Sequence, residues 1–369
     1  MNDAFQNSQH PSATIPDAIV TAIRSRAAEA EKLQQLHPDQ LDIIYRQKWL
    51  SIFVPQQYNG LQLTLPDALQ LEEALAWCDG ALGWTVTLCA GAGWFAGFLA
   101  PEIASSVFED SKACLAGSGR AGGIAKIIEG GYEITGNWDY ASGAFCATAF
   151  TANCTIEQNG ALLKNADGSM QVKAFIFLRD EVTVQPTWKT MGMIATGSNS
   201  FSVEKLIVPA SRAFSIDTTG IILQHPVYYF PFLQLAETTL AVNSSGMAIR
   251  FLDLCRPLLL RHKNNAVINM LNTAAAQLQK IRDLFYKLVL QCWQECCMHF
   301  SVSGTLLQEL SVIAHKLAIT ARSLVDTLYP YCGMEAANPA TEINRVWRNL
   351  HTASQHSLFN VAVNTSAMP

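Results

Sequence analysis

Apolar residues recur at helical spacing near both ends of the chain and at alternating spacing in its middle. PDAIVTAIRSRAAEAEKLQQL opens with Pro16 and Asp17 and predicts a first helix. HPDQLDIIYRQKWL predicts a second, and VPQQYNGLQLTLPD is a loop punctuated by Pro and Gly. DALQLEEALAWCDG is amphipathic, with Leu69, Leu71, Ala74, Leu75 and Cys78 toward one side. PEIASSVFED is a short helix with Pro at its start. From residue 113 the glycines multiply and strand-like runs appear: AKIIEGGYEITGNWDYAS, FCATAFTANCTI, VKAFIFLRD and SFSVEKLIVP. Gly130-Gly131 between two runs is a hairpin signal. No helix-length segment separates these strands, which predicts an antiparallel sheet. Beyond HPVYYFPF the helical pattern returns. Four long helices are expected at 232–261, 265–299, 305–329 and 341–360, broken at Asn264-Asn265, Ser303-Gly304 and Asn338-Pro339.

The expected fold class is therefore α+β. An N-terminal helical domain covers 1–112, a central antiparallel β-barrel or sandwich 113–225, and a C-terminal four-helix bundle 226–369. Residues 81–101, ALGWTVTLCAGAGWFAGFLAP, carry no charge and are long enough to span a bilayer. Four glycines dilute their hydrophobicity and no basic flank marks an inside end, so a helix buried on all sides is expected, with no membrane contact.

Composition narrows the function classes. Half the residues are hydrophobic, 15% are charged, and the net charge is −5 without a basic block, which argues against nucleic acid. The ten cysteines are scattered and no secretory signal precedes them, so reduced thiols in a cytoplasm are expected. The first fifteen residues read as a frayed tail. Cys292 and Cys296 lie one helical turn apart but lack further ligands at matching spacing, so no metal site is expected. GSGRAG, residues 117–122, fits the G-x-G-x-x-G dinucleotide pattern, with Asp139 downstream. A β-branched run follows in place of the helix that must hold the pyrophosphate. The glycines are read as a loop and the dinucleotide site is rejected.

Three short elements can carry chemistry. Tyr140 and Ser142 alternate on one expected strand and should face the same way, as hydrogen bonding and packing at a flat heterocycle require. Trp138 shares their parity and is either a further wall or core. Thr196, Gly197 and Ser198 begin a tight turn, TGSN, that can present hydroxyls and backbone N–H groups. In RVWRNLHTASQH, Arg348, Thr352 and His356 are four apart and form one drifting helical stripe.

FVPQQYNGLQLTLPDALQLEEALAWCDGALGW, GGYEITGNWDYASG, WKTMGMIATGSNSFSVEKLIVPASR and RVWRNLHTASQH occur in this order. Together they resemble the acyl-CoA dehydrogenase superfamily, and the last resembles its two-component flavin-dependent monooxygenase branch. The resemblance implies a flavin, FAD or FMN, between the β-domain and the bundle, contacted by Tyr140, Ser142, Thr196, Gly197, Ser198 and Arg348. It implies that Ser142 and His356 are catalytic and hydrogen-bond at the flavin while oxygen reacts. Trp84 and Trp94 on the uncharged helix are candidate walls for a small aromatic substrate. A separate flavin reductase and a homodimer or homotetramer formed through the bundle are the implied partners. The sequence departs from the family at Ile194, where an arginine is common, and at Arg348-Asn349, where the pattern is Arg-Asp. The diphosphate-gripping arginine and glutamine after the first bundle helix are also missing, which suits FMN. Two alternatives stand beside this reading. One is an acyl-CoA dehydrogenase: no Asp or Glu follows Arg348, Glu335 and Glu342 lie before it in or near the loop, and Glu237 or Asp253 on an earlier helix are candidates for the carboxylate base. The other is a flavin-free, non-enzymatic member of the fold.

Overall fold

A computed structural model describes residues 8–261 and 263–359. The N-terminal helices are α1 (Asp17–Leu33), α2 (Pro38–Arg46), α3 (Leu65–Cys78), α4 (Gly80–Gly93) and α5 (Pro101–Phe108). Residues 1–7 of the expected frayed tail lie outside the described residues, but the rest of it is anchored. The Ser8 N–H and hydroxyl donate to Asp283, Arg282 donates to the Gln9 carbonyl, and the His10 ring meets Trp77 edge-on.

The charge-free segment forms α4 and a 3-10 turn, Trp94–Gly97, nearly all of it buried. Among the described residues no helix is long and apolar enough to cross a membrane. On α3, two adjacent buried glutamates differ sharply. Glu73 is held by Arg282 at 2.8 Å and by Tyr286 at 2.9 Å. Neither oxygen of Glu72 meets a partner at full hydrogen-bond geometry, and burial pushes its pKa well above the usual carboxylate range against a weaker pull from the Thr87 hydroxyl.

The strands are β1 (Leu115–Ile128), β2 (Gly131–Ala141), β3 (Ala149–Gln158), β4 (Ala161–Leu162), β5 (Val172–Leu178), β6 (Thr183–Gln185), β7 (Asn199–Pro209) and β8 (Ala213–Phe214). Their order is β6-β7-β2-β1-β3-β5-β8, with β4 pairing β3. The expectation of a purely antiparallel sheet is corrected: β1 and β3 run parallel, with Leu115 opposite Ala149. No crossover helix is needed. The Gly130-Gly131 hairpin makes β2 antiparallel to β1, and residues 142–148 then arch over the start of β1 into β3.

GSGRAG is strand, not loop, and lies within β1 with register shifts against β3. Its last glycine leaves room for the Trp138 indole: a Cβ on Gly122 would come within 2.7 Å of that ring. The strand runs on to Ile128, where the dinucleotide pattern would place a helix.

The C-terminal elements are α6 (Pro226–Tyr229), α7 (Phe232–Leu260), α8 (Asn265–His299), α9 (Gly304–Leu328), α10 (Gly333–Ala337) and α11 (Glu342–Ala353). The first three long helices fall where the periodicity puts them. The fourth stops at Ala353. Ser354 Oγ donates to the His351 carbonyl at 2.8 Å, taking the acceptor the next helical turn would need. Gln355 and His356 continue with shorter-range bonds to Thr352 and Ala353. His356 therefore sits in a turn past the helix, and the drifting stripe is corrected.

Candidate functional site

The residue 142–148 arch places Ser142 at the junction of sheet and helices. Gly143 N–H donates to the Thr196 carbonyl at 2.8 Å, and Cys89 Sγ of α4 points to the Ser142 carbonyl at 3.5 Å. Gly143 has φ +75°, and a Cβ there would lie 2.9 Å from Cys89 Sγ. Ser142, Ser198 and Thr196 are all buried and form one hydroxyl relay. Ser142 Oγ is 2.8 Å from Ser198 Oγ, which is 2.6 Å from Thr196 Oγ1, which donates to the Met193 carbonyl at 2.8 Å. Because Thr196 spends its hydrogen on Met193, Ser198 donates to Thr196 and Ser142 donates to Ser198, so Ser142 Oγ faces an outside group as an acceptor.

α11 fixes the relay from behind. Asn349 Oδ1 accepts from Met193 N–H at 2.6 Å. Arg348 is corrected as a cofactor ligand because each nitrogen of its guanidinium already donates within the chain. It donates to Met191 O at 2.5 Å, Asn344 Oδ1 at 2.8 Å and Glu31 at 3.0 Å. It ties α11 to α1 and to the loop before the relay.

The shared orientation expected for Tyr140 and Ser142 is also corrected. Three residues of β2 span Trp138 to Ala141 while two of β7 span Phe201 to Asn199, so one extra residue breaks the alternation. Tyr140 takes φ +68° and is 69% exposed. Trp138 is core, stacked on Phe201 at 5.1 Å. The Tyr140 ring stands edge-on to Trp188 at 6.2 Å. Trp188 and Phe145 border an open depression of about 350 Å³ that reaches Asn199 and Gln34. Sequence reasoning missed these two aromatics, although Trp188 begins one of the quoted stretches.

The other face of α4 is different. Leu88, Gly91 and Phe95 recur at helical spacing as partly exposed positions of an otherwise buried segment, and buried Trp84 extends the same stripe. A Cβ on Gly91 would meet nothing within 4 Å. Trp84 meets the His356 ring edge-on at 5.9 Å. Trp94 does not join this face: it is 1% exposed and donates to the Val227 carbonyl at 2.7 Å, so its pocket assignment is corrected to core.

His356 accepts from Leu358 N–H through Nδ1 at 3.3 Å, which leaves the proton of the neutral ring on Nε2. Burial pushes its pKa down, so the ring stays neutral. Ser142 and His356 share no contact. Thr85 and Cys89 face the Ser142 arch, roughly 100–140° around α4 from Trp84. Of the alternative bases, Asp253 accepts from Trp77 Nε1 at 2.7 Å, and Glu237 is engaged by Ser311 and His315. Among the described residues no cluster of His, Cys, Asp or Glu is set to hold a metal.

Helices, a central sheet and a helical bundle in this order, meeting at a hydroxyl-lined junction, give the chain the fold of the acyl-CoA dehydrogenase-like monooxygenases. The family model of the acyl-CoA dehydrogenase C-terminal domain matches residues 262–361. Within the superfamily the likeness runs to flavin-dependent monooxygenases. The oxygenase subunit HsaA of Rhodococcus jostii is 22% identical over 92% of each chain. The solved HsaA monooxygenase of M. tuberculosis superposes with a TM-score of 0.87 at 20% identity, over 99% of this chain and 98% of that one. TdsC from Paenibacillus, solved with FMN and indole, gives 0.76 at 19% identity, over 94% and 93%.

Proposed function

We propose that this chain is the oxygenase component of a two-component flavin-dependent monooxygenase acting on a small aromatic molecule. The observation that carries the reading is the chemistry of α4's two flanks. One bears hydroxyls able to bond a polar heterocycle, and the other is apolar, aromatic and ends at a neutral imidazole. The acyl-thioester alternative lacks its base, because Glu237 and Asp253 are both occupied by other partners.

The residues fit a flavin. Ser142 Oγ can accept from a ring N–H, and exposed Tyr140 with Trp188 offers flat surface for packing. Bound reduced flavin supplies the electrons and the oxygen-activating chemistry. The chain's own residues orient and exclude water. The relay holds Ser142 in place, the α4 stripe excludes water around the substrate, and His356 presents Nε2–H to a developing negative charge. Reduced flavin comes from a separate reductase. The protein is cytoplasmic and assembles as a homodimer or homotetramer. Leu284, Val312 and Ile319 are exposed on α8 and α9, where a groove of about 720 Å³ runs between the helices.

Anaerobic titration with reduced and oxidised FMN and FAD tests this. Reduced flavin should bind the tighter, and Ser142→Ala should weaken it. Failure of both flavins to bind in either redox state would overturn the reading.

A further inference from the structure

Three thiols gather where the 142–148 arch meets the start of β1. Cys89 of α4 directs its Sγ at the Ser142 carbonyl at 3.5 Å. Cys146, inside the arch, is half-buried and directs its Sγ at the Gly143 carbonyl at 3.2 Å. Cys114, just before β1, is fully buried, and its Sγ lies 3.8 Å from Cys146 Sγ. All three are free thiols. Cys292 and Cys296 on α8 differ: each directs its sulfur at a separate carbonyl, of Leu306 and of Pro226.

The backbone fixes the corner that Cys114 and Cys146 share. Thr148 N–H donates to the Cys114 carbonyl at 2.8 Å, and Cys114 N–H donates to Thr148 Oγ1 at 3.0 Å. One residue on, Leu115 and Ala149 begin the parallel ladder. A disulfide holds its sulfurs at about 2 Å, so closure asks for about 2 Å of sulfur travel, which rotation about the two Cα–Cβ bonds can supply. The hydrogen bond with Cys114 and burial push the Cys146 thiol up, which keeps its reactive thiolate scarce. Oxidant at bulk dilution therefore reacts slowly, and oxidant released at the junction itself meets the pair at the highest concentration.

We propose that Cys114 and Cys146 form an oxidation site, a dithiol that hydrogen peroxide closes into a disulfide at the foot of the arch. The source of the oxidant rests on the monooxygenase reading, since reduced flavin and oxygen give hydrogen peroxide when no substrate takes up the oxygen. Cys146, the more accessible sulfur, attacks one peroxide oxygen. The O–O bond breaks, Cys146 becomes a sulfenic acid, and one water leaves with the thiol proton. Cys114 then attacks the Cys146 sulfur. The S–O bond breaks, the S–S bond forms, and a second water leaves with the Cys114 proton. Two thiols are oxidised by two electrons and one peroxide is reduced to two waters. Closure draws Cys146 Sγ off the Gly143 carbonyl, and Gly143 adjoins Ser142, the outer end of the hydroxyl relay. Oxidation thus reshapes the flavin side while peroxide is being released.

The full chain is treated with hydrogen peroxide, its remaining thiols are capped, and non-reduced peptides are mapped by mass spectrometry. The wild type should lose two of its ten thiols to a Cys114–Cys146 bond and regain them with dithiothreitol. Cys114→Ser and Cys146→Ser should each abolish the bond, whereas Cys297→Ser, at an exposed thiol on α8, should leave it unchanged. Anaerobic binding of reduced FMN to the oxidised protein should be weaker by at least about fivefold and recover on reduction. A wild type whose Cys114 and Cys146 stay reduced, or a bond that engages Cys89 instead, would overturn the site. A mapped bond with unchanged FMN affinity would overturn its effect on the flavin side. Mapping of the wild type decides the site even if a serine variant misfolds, which thermal unfolding reveals. Absence of reduced-FMN binding before oxidation counts against the flavin reading, whereas binding without the bond counts against the thiol pair alone.

Discussion

The two flanks of α4 were built under different rules. Toward the sheet, Thr85 and Cys89 press on the 142–148 arch, and every hydroxyl there is buried and engaged. Toward the C-terminal turn, Gly91 leaves space on the stripe it shares with Trp84, Leu88 and Phe95, and Trp84 meets a neutral imidazole. The first flank fixes a hydrogen-bond acceptor at the end of a chain of three hydroxyls. The second offers shape and dryness, which a substrate completes. A site that binds a shared cofactor and a particular substrate can divide rigidity and adaptability in this way.

Adding one carbon to each flank gives the sharpest break of this comparison. Gly143→Ala puts a Cβ against Cys89 Sγ in a backbone region that favours glycine, and should cost about 2–4 kcal/mol. A lowered urea midpoint would register it. Gly91→Ala enters open space in a helix and should stabilise by about 0.5–1 kcal/mol in the same assay. If both substitutions cost the same, the two flanks do not differ as described.

The larger Gly91→Phe should leave unfolding nearly unchanged yet fill the substrate side. A fall of at least about tenfold in kcat/KM, some 1.4 kcal/mol, is expected in oxygen-coupled turnover. Ser142→Ala removes one link of the relay and should cost about 1 kcal/mol of stability, visible in the same denaturation series. It should weaken reduced-flavin binding more than substrate binding.

The smallest effect concerns pH. Burial lowers the folded-state pKa of His356, so protons prefer the unfolded chain. The stability linked to this ring is present above the ordinary histidine pKa of about 6.5 and is lost as pH falls through that window. Unfolding free energies should therefore drop between neutrality and about pH 5, and His356→Gln should flatten that slope.

Much of the architecture was legible in the chain. Three bundle helices fell where apolar periodicity and the Asn264-Asn265 and Ser303-Gly304 breaks put them, because helix period and caps are local properties. The buried α4 followed from the absence of charge. The hydroxyl relay was partly visible, since Ser142, Thr196 and Ser198 were singled out and do converge. The bond that joins Ser142 to Ser198 was not readable, because it links segments more than fifty residues apart.

What the sequence determined, then, was the order of helical, strand and helical segments, the charge-free helix and the residue types at the junction. Local periodicity, glycine and proline placement and side-chain chemistry suffice for those. The tertiary structure alone decided which of those residues face a ligand. It gave the arginine on α11 to Glu31, turned Tyr140 outward through one unpaired strand residue, and sent Trp94 into the core. It stopped the last described helix short of His356. A guanidinium, a bulge or a helix end is settled by partners brought from elsewhere in the chain, and no local pattern encodes them.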